Sequence, residues 1–195
     1  VALKKHTVIL WMKVVVACVP AAVMGLLFDD WMEAHLMNAY VVAAALILYG
    51  ILFIVVENIN YGKRPAIERV GDITYKTALI IGLFQVLSLV PGTSRSGSTI
   101  LGAMIIGCSR PAAAEFSFFL GIPVMFGASL LKIVKFGFHF TGAEIFILLF
   151  GMVVAFIVSV FSIKFLMSYI RKNDFKLFGI YRIVLGVIVV IFFAV

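Results

Sequence analysis

Five long apolar runs constrain the fold of this chain more than any other feature of its sequence. A helix rises about 1.5 Å per residue, so about 20 apolar residues cross the roughly 30 Å hydrocarbon core of a membrane. Hydrophobic residues make up 64% of the 195 residues and charged residues only 13%, whereas soluble domains carry about 25% charged residues. We therefore predict an all-α integral membrane protein with five transmembrane helices: Val8–Phe28, Leu36–Val56, Ala112–Leu131, Ile145–Ile170 and Leu177–Val195.

A further apolar segment, Thr77–Cys108, does not fit this pattern because the polar loop PGTSRSGST, residues 91–99, interrupts it. As helices, the arms Thr77–Val90 and Ile100–Cys108 would extend about 21 Å and about 14 Å, so neither crosses a membrane alone. One long kinked helix would instead expose hydroxyl groups and an arginine to lipid. The segment therefore predicts a re-entrant helical hairpin, which is tolerated at membrane depth when it is buried in protein or lines a watery cavity.

The positions of the basic residues agree with this layout. The net charge is +7, but the basic residues are scattered between apolar runs and form no basic arm, so we expect no nucleic-acid partner. If the hairpin enters and leaves on one side, only Lys132 and Lys135 fall on the opposite face. The face on which the hairpin enters and leaves then carries the following basic residues: Lys4, Lys5, Lys13, Lys63, Arg64, Arg69, Lys76, Arg110, Lys164, Arg171, Lys172 and Lys176. Basic loops mark the cytoplasmic side of a membrane protein.

The loop at residues 91–99 carries the residue types of an anion-binding site. Gly92 and Gly97 permit a tight turn, and the planar guanidinium of Arg95 suits phosphate oxygens. A helix that begins around Ser96–Ser98 would direct free N–H groups at the loop. An arginine at membrane depth is unfavourable, so its presence indicates a functional or partnered position. Hydroxyl groups come from Thr93, Ser94, Ser96, Ser98 and Thr99.

Three known types of phosphate-binding loop do not match these residues. A nucleotide P-loop places a lysine after its second glycine and follows a strand, whereas Ser98 follows Gly97 here. A cysteine phosphatase needs a cysteine close to its arginine, and a histidine phosphatase needs histidines there, but neither type lies near Arg95 in the sequence. Two functions stay open: an enzyme that acts on a phosphate-bearing lipid, and an anion or lipid transporter or channel that binds at the same loop.

Several stretches of the chain resemble bacterial undecaprenyl-pyrophosphate phosphatase of the bacitracin-resistance type. Besides the loop, the similar stretches are residues 16–26 (VACVPAAVMGL), 113–118 (AAEFSF), Ile122-Pro123 and Tyr181-Arg182. The resemblance implies a multi-pass enzyme of the bacterial inner membrane. Such an enzyme hydrolyses undecaprenyl pyrophosphate to undecaprenyl phosphate and inorganic phosphate, which recycles the lipid carrier for cell-wall synthesis. It also implies bacitracin resistance and an active site that faces the periplasmic side.

The resemblance further implies two inverted repeats, each a re-entrant loop followed by three spans. On this basis, residues 1–195 form a single membrane domain. Residues 1–56 hold the last two spans of the first repeat, 57–76 form a cytoplasmic loop, and 77–195 form the second repeat, with its re-entrant loop at 77–109. The glutamate-rich motif of the family's first re-entrant loop has no match in this sequence. We therefore expect an N-terminally truncated chain whose absent part carries the general acid/base groups and the metal ligands.

The resemblance assigns roles to the loop residues. Arg95, Ser94 and Thr99 are the expected catalytic residues, with Arg95 binding the phosphates and neutralising charge in the transition state. Ser94 is either the nucleophile or a hydrogen-bond donor, and we favour the donor because no base is visible beside it. A divalent cation, Ca²⁺ or Mg²⁺, is the implied cofactor. The expected phosphate-binding residues are Gly92, Thr93, Ser96, Gly97 and Ser98.

Three polar residues outside the loop have alternative interpretations. Glu115 either pairs with Arg110 or a neighbouring helix, or is a partner of Arg95. Gln85 either lines the cavity or forms a hydrogen bond across helices. We expect Arg182 to extend along its helix to the membrane interface. The expected partners of the protein are a polyprenyl pyrophosphate lipid, the membrane and a second copy in a homodimer.

Overall fold

Seven α-helices build the part of the chain that the structure, a computed structural model, describes: residues 5–137 and 141–194. No strand occurs in these two ranges, although Ile67 and Cys108 form an isolated parallel bridge. Single turns of 3-10 helix cover Val70–Asp72 and Leu87–Leu89. The helices are α1 (Lys5–Leu36), α2 (Ala39–Asn60), α3 (Tyr75–Val86), α4 (Arg95–Ile105), α5 (Arg110–Phe136), α6 (Gly142–Ile170) and α7 (Lys176–Ala194).

Five of these helices, α1, α2, α5, α6 and α7, are long and apolar enough to cross a membrane. The all-α fold with five spans is therefore confirmed. The second span begins at Ala39 and not at Leu36, because the Asn38 side chain accepts a hydrogen bond of 2.9 Å from the backbone N–H of Val41 and caps α2. Lys4 and Val195, which the predictions included, lie outside the described residues.

The interrupted segment forms two short helices joined by a turn, not one long kinked helix. Helix α3 has 12 residues and α4 has 11, so they extend only about 18 Å and about 17 Å. The Ser98 hydroxyl donates a hydrogen bond of 2.7 Å to the Phe84 carbonyl and holds the two helices together. Helix α4 begins at Arg95, earlier than predicted, because Ser94 caps it. That the hairpin is re-entrant stays a prediction.

Small residues let the helices pack closely. A Cβ atom at Gly82 of α3 would overlap the backbone of Ala17 in α1, and one at Gly50 of α2 would lie 2.7 Å from the Gly179 carbonyl oxygen of α7. Gly186 likewise faces the Ala43 carbonyl oxygen, 3.0 Å from the position of a Cβ. Close backbone approach of this kind stabilises helix pairs in membranes through van der Waals contact. Helix α1 therefore packs tightly on α3, the first arm of the hairpin, and α2 packs tightly on α7.

The basic loops meet at one end of the bundle. Glu57, near the end of α2, is 1% exposed and binds Arg110 at the start of α5. The same carboxylate accepts a hydrogen bond of 2.8 Å from the backbone N–H of Phe175, in the turn between α6 and α7. Lys13 of α1 donates to the Gly71 carbonyl from the loop before α3. The structure thus gathers the loops that carry most of the basic residues, as the charge pattern predicts.

Candidate active site

The loop between α3 and α4 turns sharply at Gly92 and lies alongside α2. Gly92 has a φ of +90°, a left-handed conformation that favours glycine. A Cβ atom there would also lie 2.5 Å from the Val42 carbonyl oxygen and 3.1 Å from Cβ of Ala45. The hydroxyl of Thr93 donates to the carbonyls of Leu87 and Val90, at 2.7 and 2.6 Å. The turn is therefore fixed both by glycine and by the buried threonine.

The start of α4 presents backbone N–H groups to the open side of the loop. The Ser94 hydroxyl accepts a hydrogen bond of 3.2 Å from Gly97 N–H, and the Ser94 carbonyl accepts one of 2.9 Å from Ser98 N–H. Within the described residues, the N–H groups of Arg95 and Ser96 have no acceptor. Unpaired N–H groups at a helix start carry partial positive charge and bind anions. This end of α4 is thus built to hold an oxyanion.

Arg95 lies between α4 and α5 with most of its hydrogen-bonding capacity unused. Its Nη1 donates a hydrogen bond of 3.3 Å to the Ser117 carbonyl. The guanidinium rests against Gly121 of α5, where a Cβ atom would lie 2.6 Å from Nη2. Among the described residues it has no carboxylate partner. A partly buried guanidinium with free donors and no counter-charge suits bidentate binding of phosphate oxygens.

A second arginine, Arg182 of α7, reaches the same loop. Its Nη2 donates a hydrogen bond of 2.7 Å to the Gly92 carbonyl, and its guanidinium carbon lies 5.8 Å from the centre of the Tyr49 ring, within cation–π range. The prediction that this side chain extends to the membrane interface is wrong, because it turns inward. The sequence signal for this inward direction was the spacing of two glycines from Arg182. Gly179 and Gly186 lie three and four residues from Arg182, hence on the same face of α7, and that face packs on α2.

The hydroxyl groups of the loop divide into buried and accessible ones. Ser98 and Thr99 are fully buried. The Ser98 hydroxyl lies 3.2 Å from the Tyr49 hydroxyl, and the Thr99 hydroxyl lies 2.7 Å from that of Ser117. Both side chains therefore attach α4 to neighbouring helices. Ser94 is exposed and Ser96 is partly exposed, with their hydroxyl oxygens 3.2 Å apart. The structure thus brings Ser94, Arg95 and Ser96 together at the open side of the loop.

The remaining candidates lie outside this group. Gln85 is 1% exposed, and neither of its amide atoms has a hydrogen-bond partner among the described residues. It therefore forms no bond across helices in this part of the chain. Glu115 is partly buried on α5 and forms no ion pair there with Arg95 or Arg110. Arg110 is bound instead by Glu57, with Nε 2.9 Å from Oε1 and Nη2 2.5 Å from Oε2.

The described residues do not fit a complete divalent-cation site. Nowhere in residues 5–137 and 141–194 do three or more His, Cys, Asp or Glu side chains cluster as metal ligands would. The open side of the loop offers N–H groups, hydroxyls and a guanidinium, which bind anions. Ca²⁺ and Mg²⁺ prefer carboxylate and carbonyl oxygens.

Comparison with known proteins gives consistent matches along nearly the whole chain. Residues 2–188 match the family model described as bacitracin resistance protein BacA. An undecaprenyl-diphosphatase of Enterococcus faecalis is 62% identical over 193 residues, which cover 99% of this chain and 70% of the relative. The undecaprenyl-diphosphatase of Desulfitobacterium hafniense is 60% identical over 195 residues, which cover 100% of this chain and 70% of the relative. The undecaprenyl-diphosphatase of Acetivibrio thermocellus is 61% identical over 193 residues, which cover 99% of this chain and 71% of the relative.

Proposed function

The chain belongs to the bacitracin resistance protein BacA family, and on that premise we propose how its loop acts on a lipid pyrophosphate. The protein is a membrane hydrolase. It converts undecaprenyl pyrophosphate to undecaprenyl phosphate and inorganic phosphate, and the lipid carrier returns to cell-wall synthesis. The observation that carries the assignment of the site is the start of α4. There, within the described residues, the N–H groups of Arg95 and Ser96 have no acceptor and the Arg95 guanidinium has no carboxylate partner.

The loop residues bind the pyrophosphate through charge and hydrogen bonds. The Arg95 guanidinium donates to oxygens of the terminal phosphate, and the Arg95 and Ser96 N–H groups donate to the same phosphate from the helix start. The Ser94 hydroxyl, whose oxygen already accepts from Gly97 N–H, donates its proton to a phosphoryl oxygen. Arg182 keeps the Gly92 turn in place and adds positive charge behind it. The apolar faces of the helices receive the prenyl chain.

The reaction transfers the terminal phosphoryl group to water. A water oxygen forms a bond to the terminal phosphorus, the bond from that phosphorus to the bridging oxygen breaks, and the bridging oxygen stays on the lipid as part of its monophosphate. Charge on the terminal phosphoryl oxygens is spread in the transition state, where fixed donors such as Arg95 stabilise it most. Thr99 takes no direct part, because its buried hydroxyl holds α4 to Ser117. We assign no base to the described residues.

We propose that the site opens toward the periplasmic side of the bacterial inner membrane. Two observations support this orientation. The loop contacts α2 at Val42 and Ala45, within two turns of its first residue. The basic loops gather at the opposite end of α2, near Asn60, and basic loops mark the cytoplasmic side. Cysteine labelling at Ser94 from each side of a sealed vesicle tests this orientation.

Three finer proposals rest on family membership. We propose that the reaction uses Ca²⁺ or Mg²⁺. The described residues do not form a complete site for the ion. Loss of phosphate release on chelation, restored by either ion, tests its use. We propose that residues 77–195 form the second of two inverted repeats, which a structure of the complete gene product would test. We propose a homodimer, for which the largely exposed α6 offers surface; light scattering in detergent tests it.

The central experiment measures phosphate release from undecaprenyl pyrophosphate by the complete gene product in detergent micelles. We expect Arg95→Ala to lower kcat/KM by about 1000-fold, because the variant loses the main charged donor to the transferring phosphate. Lys132→Ala, which removes an exposed cation far from the loop, is the matched control and should keep wild-type activity. Both variants should show wild-type thermal unfolding.

Two results would contradict the proposal. Near-normal turnover by a folded Arg95→Ala variant would show that the loop does not bind the reacting phosphate. Substrate-dependent uptake into liposomes without release of phosphate would identify the protein as a transporter that uses the same loop for binding.

A further inference from the structure

A cavity of about 450 Å³ lies at the basic end of the bundle, away from the loop at residues 91–99. Three segments enclose it: residues 60–66 after α2, residues 104–111 between α4 and α5, and residues 170–171 at the end of α6. None of these segments carries a residue that we have placed in the candidate active site. The cavity is therefore separate from the candidate active site.

The lining of this cavity is strongly positive. Lys63, Arg64, Arg110 and Arg171 line it, and none of the lining residues is acidic. Arg110 is neutralised by the buried Glu57 behind it, but the other three cations form no ion pair within the described residues. Burial raises the pKa of the Cys108 thiol to about 11, so this lining residue is uncharged at neutral pH. Among the described residues, therefore, three of the cavity's cations have no carboxylate bound to them.

The walls of the cavity are held by hydrogen bonds between its segments. The Gly107 carbonyl accepts hydrogen bonds of 2.9 and 3.1 Å from the N–H groups of Ala66 and Ile67. The Asn60 amide donates one of 3.2 Å to the Met104 carbonyl. Arg110 is fixed by its double contact with Glu57, yet its side chain stays 36% exposed. Because the segments are bonded to one another, the cavity is formed before any ligand enters, and little ordering opposes binding.

We propose that this cavity binds the phosphate-bearing headgroup of an anionic phospholipid from the leaflet on the basic side of the protein. The cavity sits where α2 ends and α5 begins, both long enough to span a membrane, so it lies at the level of lipid headgroups. Tyr61 at its edge is 81% exposed, as is typical of aromatic residues at membrane interfaces. Basic pockets between transmembrane helices on the cytoplasmic side bind such headgroups.

The test compares the complete gene product in two kinds of nanodisc, one of phosphatidylcholine alone and one of phosphatidylcholine mixed with phosphatidylglycerol. The variant is Arg64→Gln/Arg171→Gln, which removes two cavity cations that no carboxylate in the described chain binds. The matched control is Lys132→Gln/Lys135→Gln, which removes two exposed cations from the last turns of α5. Retention of phosphatidylglycerol is measured by native mass spectrometry, and stability by the shift in Tm between the two lipids.

We expect phosphatidylglycerol to raise the Tm of the wild type and of the control. The cavity variant should bind phosphatidylglycerol about 30-fold more weakly, since each basic residue near an anionic surface contributes about 1 kcal/mol, and should lose the Tm shift while keeping its Tm in phosphatidylcholine. Equal binding by the cavity variant and the control would overturn the proposal. A Tm shift from inorganic phosphate alone, with none from phosphatidylglycerol, would overturn the lipid headgroup in favour of free phosphate.

Discussion

The starts of α4 and α5 share a local design, but the partners of their arginines differ, and Pro111 of α5 stands where α4 has Ser96. In each, a serine caps the helix and an arginine follows: Ser94 with Arg95, and Ser109 with Arg110. Each serine hydroxyl accepts a hydrogen bond of 3.2 Å from the N–H group three residues later. Arg110 is neutralised by Glu57 of α2, whereas the Arg95 guanidinium donates to the Ser117 carbonyl and has no carboxylate partner among the described residues. The partner therefore separates the two Ser-Arg pairs: Arg110 joins α5 to α2 through Glu57, whereas we propose that Arg95 binds a ligand.

The most direct test of this comparison is to give Arg95 a carboxylate partner, as Arg110 already has. Gly121→Asp places an acidic side chain against the Arg95 guanidinium, because a Cβ atom at Gly121 lies 2.6 Å from Nη2. We expect kcat/KM for phosphate release to fall about 1000-fold, as the internal carboxylate competes with the substrate phosphate. Gly121→Asn adds the same bulk without charge and should retain clearly more activity. Equal losses in both variants would show that crowding, and not pairing, inactivates the protein.

The reverse change removes the carboxylate from Arg110. We expect Glu57→Gln to lower the free energy of unfolding by about 2 kcal/mol, because it leaves a partly buried guanidinium without its counter-charge. Chemical unfolding in detergent, followed by circular dichroism, measures this loss. At a temperature where the variant stays folded, phosphate release should be unchanged. Glu57→Leu/Arg110→Met removes both charges and should recover most of the stability; a failure to recover it would mean that the Phe175 contact matters more than the ion pair.

Arg182 refines the comparison because its side chain holds the loop by binding a backbone carbonyl, that of Gly92. Arg182→Lys keeps a positive charge near Tyr49 but lacks the second guanidinium arm that reaches the Gly92 carbonyl. We expect kcat to fall about tenfold with KM nearly unchanged, since a shifted turn misplaces the donors for the transition state more than it weakens initial binding. Steady-state kinetics measure the two constants. A rise in KM with constant kcat would indicate that Arg182 touches the substrate directly.

We expect the smallest effect, a change in the free energy of unfolding, from a substitution of Gln85. Its buried amide has no hydrogen-bond partner among the described residues, and an unsatisfied buried polar group costs about 1–3 kcal/mol. We expect Gln85→Leu to raise the free energy of unfolding by about 1 kcal/mol, measured as for Glu57→Gln. Gln85→Ala is the control for loss of volume and should destabilise the protein. Destabilisation by leucine as well would contradict the expected gain and indicate that the amide has a partner in the complete protein.

The sequence was sufficient to predict the five long apolar helices, because length and hydropathy determine which segments can cross a membrane. It was also sufficient to locate the turn between α3 and α4, since a polar run with two glycines interrupts the apolar segment there; that this turn binds phosphate stays a prediction. It could not separate Ser94 and Ser96 from Ser98 and Thr99, because the rotation of α4 depends on its packing against other helices. For the same reason it missed the inward turn of Arg182, and it missed Glu57, which lies 53 residues before its partner Arg110.

The short hairpin also has a consequence for biogenesis. Helices α3 and α4 are too short to enter a membrane as ordinary spans, so partner helices must hold them. Helix α3 packs on α1, which is synthesised earlier, whereas α4 is bonded to α5 through Thr99 and Ser117 and α5 is synthesised later. We therefore expect the hairpin to complete its packing after α5 has been synthesised, so that the loop at residues 91–99 becomes fully ordered once sequences on both sides of it are in place.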